Sequence, residues 1–255
     1  MRIDLNCDMG ESTDPERLSI EERLMPLVTS VSIACGFHAS NPDLMRYTIR
    51  LARAHGVAIG AHPGFRDPEG MGRRELDVTS EEAESLIAYQ IGALTGIAVL
   101  EGTRLAHVKP HGALYNMAAR DRRLADAIAR AVASQDRRLI LFGLAGSELV
   151  KAGKAIGLTV AEEAFVDRAY NSDSSLVPRG LPGAVIQDEQ EVVARARRLA
   201  LEGVVPSLNG SLVRHHADTI CLHGDTPGAD RLVERVRREL TMAGVKIVAV
   251  GHEAS

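Results

Sequence analysis

Acid, imidazole and amine side chains recur in this sequence in one setting: they follow a short apolar run and sit beside Gly or Pro. Asp8 and Glu11 lie in Asn6-Cys7-Asp8-Met9-Gly10-Glu11, His38 closes Cys35-Gly36-Phe37-His38, and His62 stands in Gly60-Ala61-His62-Pro63-Gly64. Lys109 and His111 share Lys109-Pro110-His111-Gly112, while His223 and Asp225 share His223-Gly224-Asp225. Each alone reads as a turn. Their repetition at the ends of apolar runs points instead to a common rim where chemistry is done.

Two chemistries fit such a rim, and both are hydrolytic. Asp8, His38 and His62, with His111 as a further candidate, offer the oxygen and nitrogen ligands of a Zn, Mn or Ni site that holds a water as nucleophile. Alternatively no metal binds: Asp8 or Glu11 acts as general base on water, and Lys109 with a protonated histidine stabilises an oxyanion.

The elements that must position these groups alternate. Apolar, β-branched runs fall at 3–7, 28–34, 57–61, 105–109, 139–143, 158–161, 219–222 and 247–250. Between them lie helical periods with clear punctuation. Asn41-Pro42 opens one helix and Gly56 stops it, Thr79 and Glu82 form a capping-box pair, and Asp188 with Glu191 predicts a second such pair. Thr226-Pro227 predicts the start of a last helix that Gly244 ends. Alternating strands and helices predict an α/β fold with a parallel sheet, and seven or eight strands in 255 residues predict a single β/α barrel domain over 1–255. The irregular stretch 167–185 reads as a loop excursion over one rim, reached after Glu162, Glu163, Asp167 and Arg168. His55, His215, His216 and His252 lie away from strand ends and are expected at the surface.

Composition narrows the function. The net charge is -4 with no basic block, which argues against nucleic acid and anionic membrane as partners. Aromatic residues are 3% and Trp is absent, so a stacking groove for polysaccharide is not expected. The apolar stretch 91–100 is broken by Gly92, Thr95 and Gly96, short of the roughly 20 residues of a membrane span. Acids among the first eight residues argue against a secretory leader, and a cytoplasmic protein is expected. Cys7, Cys35 and Cys221 have no Cys-x-x-Cys spacing and read as buried thiols. Neither a P-loop nor a Gly-x-Ser-x-Gly elbow occurs.

Several long motifs, in order, resemble the LamB/YcsF family, the A components of 5-oxoprolinase. They are Asp4-Leu5-Asn6-Cys7-Asp8-Met9-Gly10-Glu11, Ile33-Ala34-Cys35-Gly36-Phe37-His38, Gly60-Ala61-His62-Pro63-Gly64, His107-Val108-Lys109-Pro110-His111-Gly112-Ala113-Leu114-Tyr115-Asn116, Asp167-Arg168-Ala169-Tyr170 and His223-Gly224-Asp225. The chain departs from the family's usual pattern at Ser32, 39–41, 65–66 and 13–14. The resemblance implies a seven-stranded β/α barrel akin to the glycoside hydrolase/deacetylase superfamily. It implies ATP-dependent opening of the lactam 5-oxo-L-proline to L-glutamate with two partner subunits, B and C, which handle the ATP. Asp8, Glu11, His38, His62, Lys109 and His111 then form the catalytic set, and Asn6, Asn116, Arg168, His223 and Asp225 the substrate contacts, with Arg168 or Lys109 on a carboxylate or phosphate. A stand-alone metal-dependent amidase or deacetylase, and a non-catalytic binding subunit, remain the competing readings.

Overall fold

The computed structural model describes residues 1–224 and 228–251. Asp225, Thr226, Pro227 and His252, all singled out above, lie outside them. Seven parallel strands close into a barrel: β1 (Arg2–Met9), β2 (Ser30–Ala34), β3 (Ala58–His62), β4 (His107–Val108), β5 (Ile140–Leu144), β6 (Val160–Phe165) and, after two strands outside the barrel, β9 (Thr219–Cys221). Closure comes from β9, which pairs with β6 through Glu163↔Thr219 and with β1 through Asp4↔Thr219. The run at 247–250 contributes only a short β10 (Lys246–Ile247), paired to the first residues of β1. It is an appendage to the barrel and not an eighth stave.

Alternation along each strand sorts side chains between two environments. On β1, Leu5, Cys7 and Met9 join the apolar layer beneath the helices, whereas Asp4, Asn6 and Asp8 enter the barrel. The barrel interior is therefore a polar column. At its foot the Asp4 carboxyl accepts hydrogen bonds from the hydroxyls of Thr29 (2.6 Å), Ser30 (2.8 Å) and Thr219. Burial nevertheless raises the Asp4 pKa to about 6. His107 crosses the same level beside Ser32 and stacks on Phe142, with ring centroids 4.2 Å apart. Gly60 is required there, because a Cβ would stand 2.1 Å from the His107 ring.

The helices start where their caps dictate. Asn41 accepts from the Leu44 amide at 2.9 Å to begin α2 (Pro42–Ala54), which follows α1 (Pro15–Leu24). The capping box of Thr79 and Glu82 opens α3 (Ser80–Leu100). Asp188 caps α7 (Glu189–Glu202) through Gln190 and not through the expected pairing with Glu191. α4 (Gly112–Arg120), α5 (Arg122–Gln135) and α6 (Glu148–Ala155) complete the wall, with α8 (Ala229–Met242) beside α7. α3 has the length and apolarity to cross a membrane, yet Ala83, Ile87, Gln90, Ile91, Leu94 and Ala98 form a buried face packed chiefly on α5. It is a wall helix of the barrel.

The excursion at 167–185 is tied to a two-stranded antiparallel hairpin, β7 (Val204–Pro206) with β8 (Leu212–Arg214). The buried Arg195 guanidinium donates to three backbone carbonyls, those of Val166, Pro206 and Arg168, and so locks the excursion, the hairpin and α7 together. His215, expected at the surface, is instead buried against the Tyr170 ring, while His55 and His216 are exposed. Burial lowers the His215 pKa to about 4, and Arg195 adds to the effect while Glu162 opposes it.

A base whose folded pKa is depressed is neutral in the native state, so its contribution to stability is full above the unfolded value of about 6.5 and is lost as pH falls toward 4. Between pH 7 and pH 5, the wild-type chain should lose about 2 kcal/mol more stability than His215→Gln, as read from urea unfolding at the two pH values. Equal losses in the two proteins would show that His215 does not titrate in this way.

Candidate active site

The strand ends deliver a charged centre whose keystone is Lys109. It leaves β4 into the barrel mouth, where its ammonium lies 2.7 Å from Asp8 Oδ1, 2.8 Å from Asn6 Oδ1 and 3.0 Å from Glu163 Oε1. Burial alone would neutralise the amine, but Asp8 and Glu163 outweigh it and hold the pKa well above the usual lysine value. Burial likewise pushes the Asp8 carboxyl up, and the charges of His62 and Lys109 overcome this to keep it well below the carboxylate range. Glu163 is fixed in turn by Asn6 Nδ2 at 2.9 Å and by the Tyr115 hydroxyl at 2.7 Å. The sequence offers Glu163 only as one of the acids near a strand end, and Tyr115 only within a longer motif, without a site role for either. β6 runs on to Phe165, so Glu163 points into the barrel from within the strand and does not follow it.

Beside Asp8 three imidazoles converge. His62 Nδ1 lies 2.7 Å from the Lys109 carbonyl and His111 Nε2 lies 2.8 Å from the Met71 carbonyl; a carbonyl only accepts, so both of these nitrogens carry protons. The two remaining nitrogens, His62 Nε2 and His111 Nδ1, face each other at 2.9 Å. Two lone pairs would repel at that distance, so one cation must sit between or beside them, a shared proton being the simplest. Asp8 Oδ2, 3.3 Å from His62 Nε2, and Glu11 Oε1, 3.3 Å from His111 Nδ1, supply the balancing charge. Glu11 is held down to about 2 against the opposing effect of burial, by its contact with His38 and the charges of His111 and His62.

His38 stacks on His111 with ring centroids 3.8 Å apart, and its Nε2 is 3.4 Å from Glu11 Oε1. The β3–α3 loop seals this layer. Gly72 (φ +65°) passes so close that a Cβ would meet both His111 and His38 at 2.8 Å.

Across the mouth stands a second pair. Asp167 Oδ2 accepts from the backbone amide of His223 at 2.9 Å and faces its Nδ1 at 2.7 Å, while the Phe165 ring stacks on the imidazole. The pairing fixes Nδ1 as a donor and leaves Nε2 for other partners. Burial pushes Asp167 up, and His223 brings it below its ordinary value. A ring nitrogen of His223, a carboxylate oxygen of Asp8 and Cys221 Sγ all lie within 4.8 Å of one another.

A cavity of about 680 Å³ opens over these groups, lined by Asp8, Glu11, His62, Lys109, His111, Glu163 and His223, with Arg17, Arg73, Arg120 and Arg179 among its other lining residues. Asn116, exposed in the second turn of α4, lines it as well. Three expected roles change. Asn6 is wholly buried beneath Lys109 and supports Glu163, so it cannot reach a substrate. The Lys109 ammonium donates to Asn6 Oδ1, Glu163 Oε1 and Cys221 Sγ and is ion-paired with Asp8, which leaves no proton for an oxyanion or a carboxylate. Arg168 lines the cavity but donates to the carbonyls of Ala184 and Val177, bracing the excursion. For a metal, the donor atoms converge among the described residues in two sets, Glu11/His38/His111 and Asp8/Cys221/His223; the expected trio of Asp8, His38 and His62 is divided between Asp8 in one and His38 in the other. The three cysteines are free and buried.

Residues 3–255 match the sequence profile described as the LamB/YcsF family. A protein of Heliobacterium modesticaldum named as the A component of 5-oxoprolinase is 53% identical over 249 residues, covering 98% of each chain. One of the same name from Bacillus subtilis is 49% identical over 254 residues, covering 100% of this chain and 99% of its own. The crystal structure of a lactam utilization protein from Thermus thermophilus superposes with a TM-score of 0.90 at 46% identity, over 98% of this chain and 100% of that one. A polysaccharide deacetylase from Bacillus cereus shares the fold alone, with a TM-score of 0.53 at 11% identity over 100% of this chain and 94% of that one.

Replacing Gly72 by Ala should cost about 2 kcal/mol or more in urea unfolding, since it combines a left-handed backbone with a clash against the His111 imidazole and the His38 Cβ. An unchanged midpoint and slope would mean that the loop does not pack on His38 and His111.

Proposed function

The chain belongs to the LamB/YcsF family, and from that premise we propose that it is the A component of a 5-oxoprolinase, hydrolysing the lactam of 5-oxo-L-proline to L-glutamate. The observation that carries the proposal is the pairing, over one cavity, of an ionised Asp8 with a histidine that Asp167 orients. Lactam hydrolysis needs those two functions: a group to take a proton from water and a group to give one to the departing nitrogen. Asp8 accepts the water proton as oxygen attacks the lactam carbonyl carbon. His223 Nε2 protonates the ring nitrogen as the carbon–nitrogen bond breaks, and Asp167 steadies the imidazolium before transfer. The products are the new carboxyl and the free amine of glutamate.

Amide bonds in a five-membered lactam are unreactive, and the sequence carries no P-loop. Partner subunits B and C, in this proposal, use ATP to activate the lactam carbonyl in the cytoplasm, and this chain directs the water. The lettered component names of its relatives support a complex of several different chains.

In an assay of ATP-dependent glutamate release with partners B and C present, Asp8→Asn and His223→Gln should each lower kcat by about 100-fold or more. Asp167→Asn, which reverses the favoured tautomer of His223, should lower kcat by a similar factor with little change in KM. Wild-type turnover by Asp8→Asn would refute the catalytic role, and full ATP-coupled turnover by the isolated chain would refute the division of labour.

A further inference from the structure

We propose that the outward face of α3 is a self-association surface on which a second copy of this chain docks, with its own α3 running antiparallel about a two-fold axis. The inference goes beyond the lactam reading and does not use the cavity. From Ser85 to Leu100 the helix carries no charged residue, a length of about 24 Å at 1.5 Å per residue. Its inner face is buried in the barrel wall through Ile87, Gln90, Ile91, Leu94 and Ala98. The outer face of a wall helix is ordinarily polar, and this one is not. Tyr89, Val99 and Leu100 are 63%, 66% and 62% exposed, and Gly92, Thr95 and Gly96 lie exposed between them. Tyr89 widens the apolar surface by stacking on Phe37, with ring centroids 5.1 Å apart.

Charge identifies the occupant. At the N-terminal end of α3 stand Glu81, Glu82 and Glu84, with Arg130 of α5 paired to Glu84, so three carboxylates face one guanidinium. At the C-terminal end Arg46 and Arg50 of α2 pair with the Glu101 carboxylate and Arg53 donates to the Glu101 carbonyl, so three guanidiniums face one carboxylate. The two ends are opposite in sign and an uncharged apolar stretch separates them. A two-fold axis through the middle of the helix lays the acidic end of each copy on the basic end of the other, which is the self-complementarity that an isologous interface requires. A parallel arrangement would set like charges together. An uncharged centre with an aromatic anchor and a charged rim is also the ordinary anatomy of a protein interface.

The two exposed glycines fit the same role. A Cβ at Gly96 would meet nothing within 4 Å, and one at Gly92 only Gln135 at 3.9 Å, so the chain's own packing requires neither glycine. Glycine inside a helix is unfavourable relative to alanine, and close approach of a second backbone gives the missing side chains a use.

The test is analytical ultracentrifugation of the full chain over a dilution series reaching about 100 µM, where a reversible monomer–dimer equilibrium is expected. Tyr89→Arg and Val99→Arg, both at exposed positions, should each weaken the dimer by about 30-fold or more, the scale of an interface hot spot. Glu81→Arg and Arg53→Glu should each weaken it by about 5-fold, and the chain carrying both should be no weaker than either alone, because the two positions act on each other across the interface. Thermal unfolding checks that every variant is folded. A chain that stays monomeric throughout, whether or not it binds phosphatidylglycerol vesicles or a different protein through this face, would overturn the proposal. So would a dimer indifferent to Tyr89→Arg and Val99→Arg, or full additivity of the two charge reversals. Because no turnover is measured, these outcomes are separate from the fate of the lactam-hydrolysis proposal.

Discussion

A lysine ammonium held inside a β-barrel is the constraint from which the rest of the site follows. Lys109 is 2% exposed, and a charge so placed is tolerable only if opposite charge and hydrogen-bond acceptors surround it. Asp8 and Glu163 supply the charge, Asn6 and Tyr115 fix Glu163, and the four come from three elements far apart in the chain, β1, β6 and α4. Satisfying the lysine therefore sets the positions of β1, β4, β6 and the first turn of α4 relative to one another. It also sets Asp8 as an anion with one oxygen directed at Lys109 and the other at His62. The charge that would be a liability in an apolar core becomes the means of aiming a carboxylate.

The same economy governs the layer above. Backbone carbonyls of Lys109 and Met71 fix which nitrogen of His62 and His111 carries a proton, and the rings are thereby obliged to share a cation. Glycine at position 72 lets the covering loop pack closely on His111 and His38. On the opposite side, Asp167 restricts His223 to one orientation through both its ring and its own backbone. The site is thus two preorganised half-sites, one rich in negative charge and one built to hold a mobile proton, facing each other across the cavity.

Much of this was legible in the chain. His38, His62, His111 and His223 announce themselves because Gly or Pro ends each strand just beside them, and parallel barrels expose such ends on one face. What sequence could not supply was inward direction within a polar barrel. Asn6 reads as a substrate contact and Glu163 as one more strand-end acid until strand register sends them to Lys109, 103 and 54 positions away. Lys109 and Arg168 look like anion holders until the protein's own oxygens are seen to take their protons. His215 failed for a related reason: nothing in 203–216 signals that a hairpin will carry it under Tyr170.

Whether Lys109 organises the centre as claimed is tested most directly by a double-mutant cycle of Lys109→Met and Glu163→Gln, measured by urea unfolding. Each single substitution strands a buried partner, so each should cost about 3–5 kcal/mol, whereas the double substitution should cost less than their sum by roughly 2 kcal/mol or more, within the range found for coupled buried groups. Strict additivity, with the double variant as unstable as the two singles combined, would contradict the account, because it would mean that the ammonium and the Glu163 carboxyl do not act on each other.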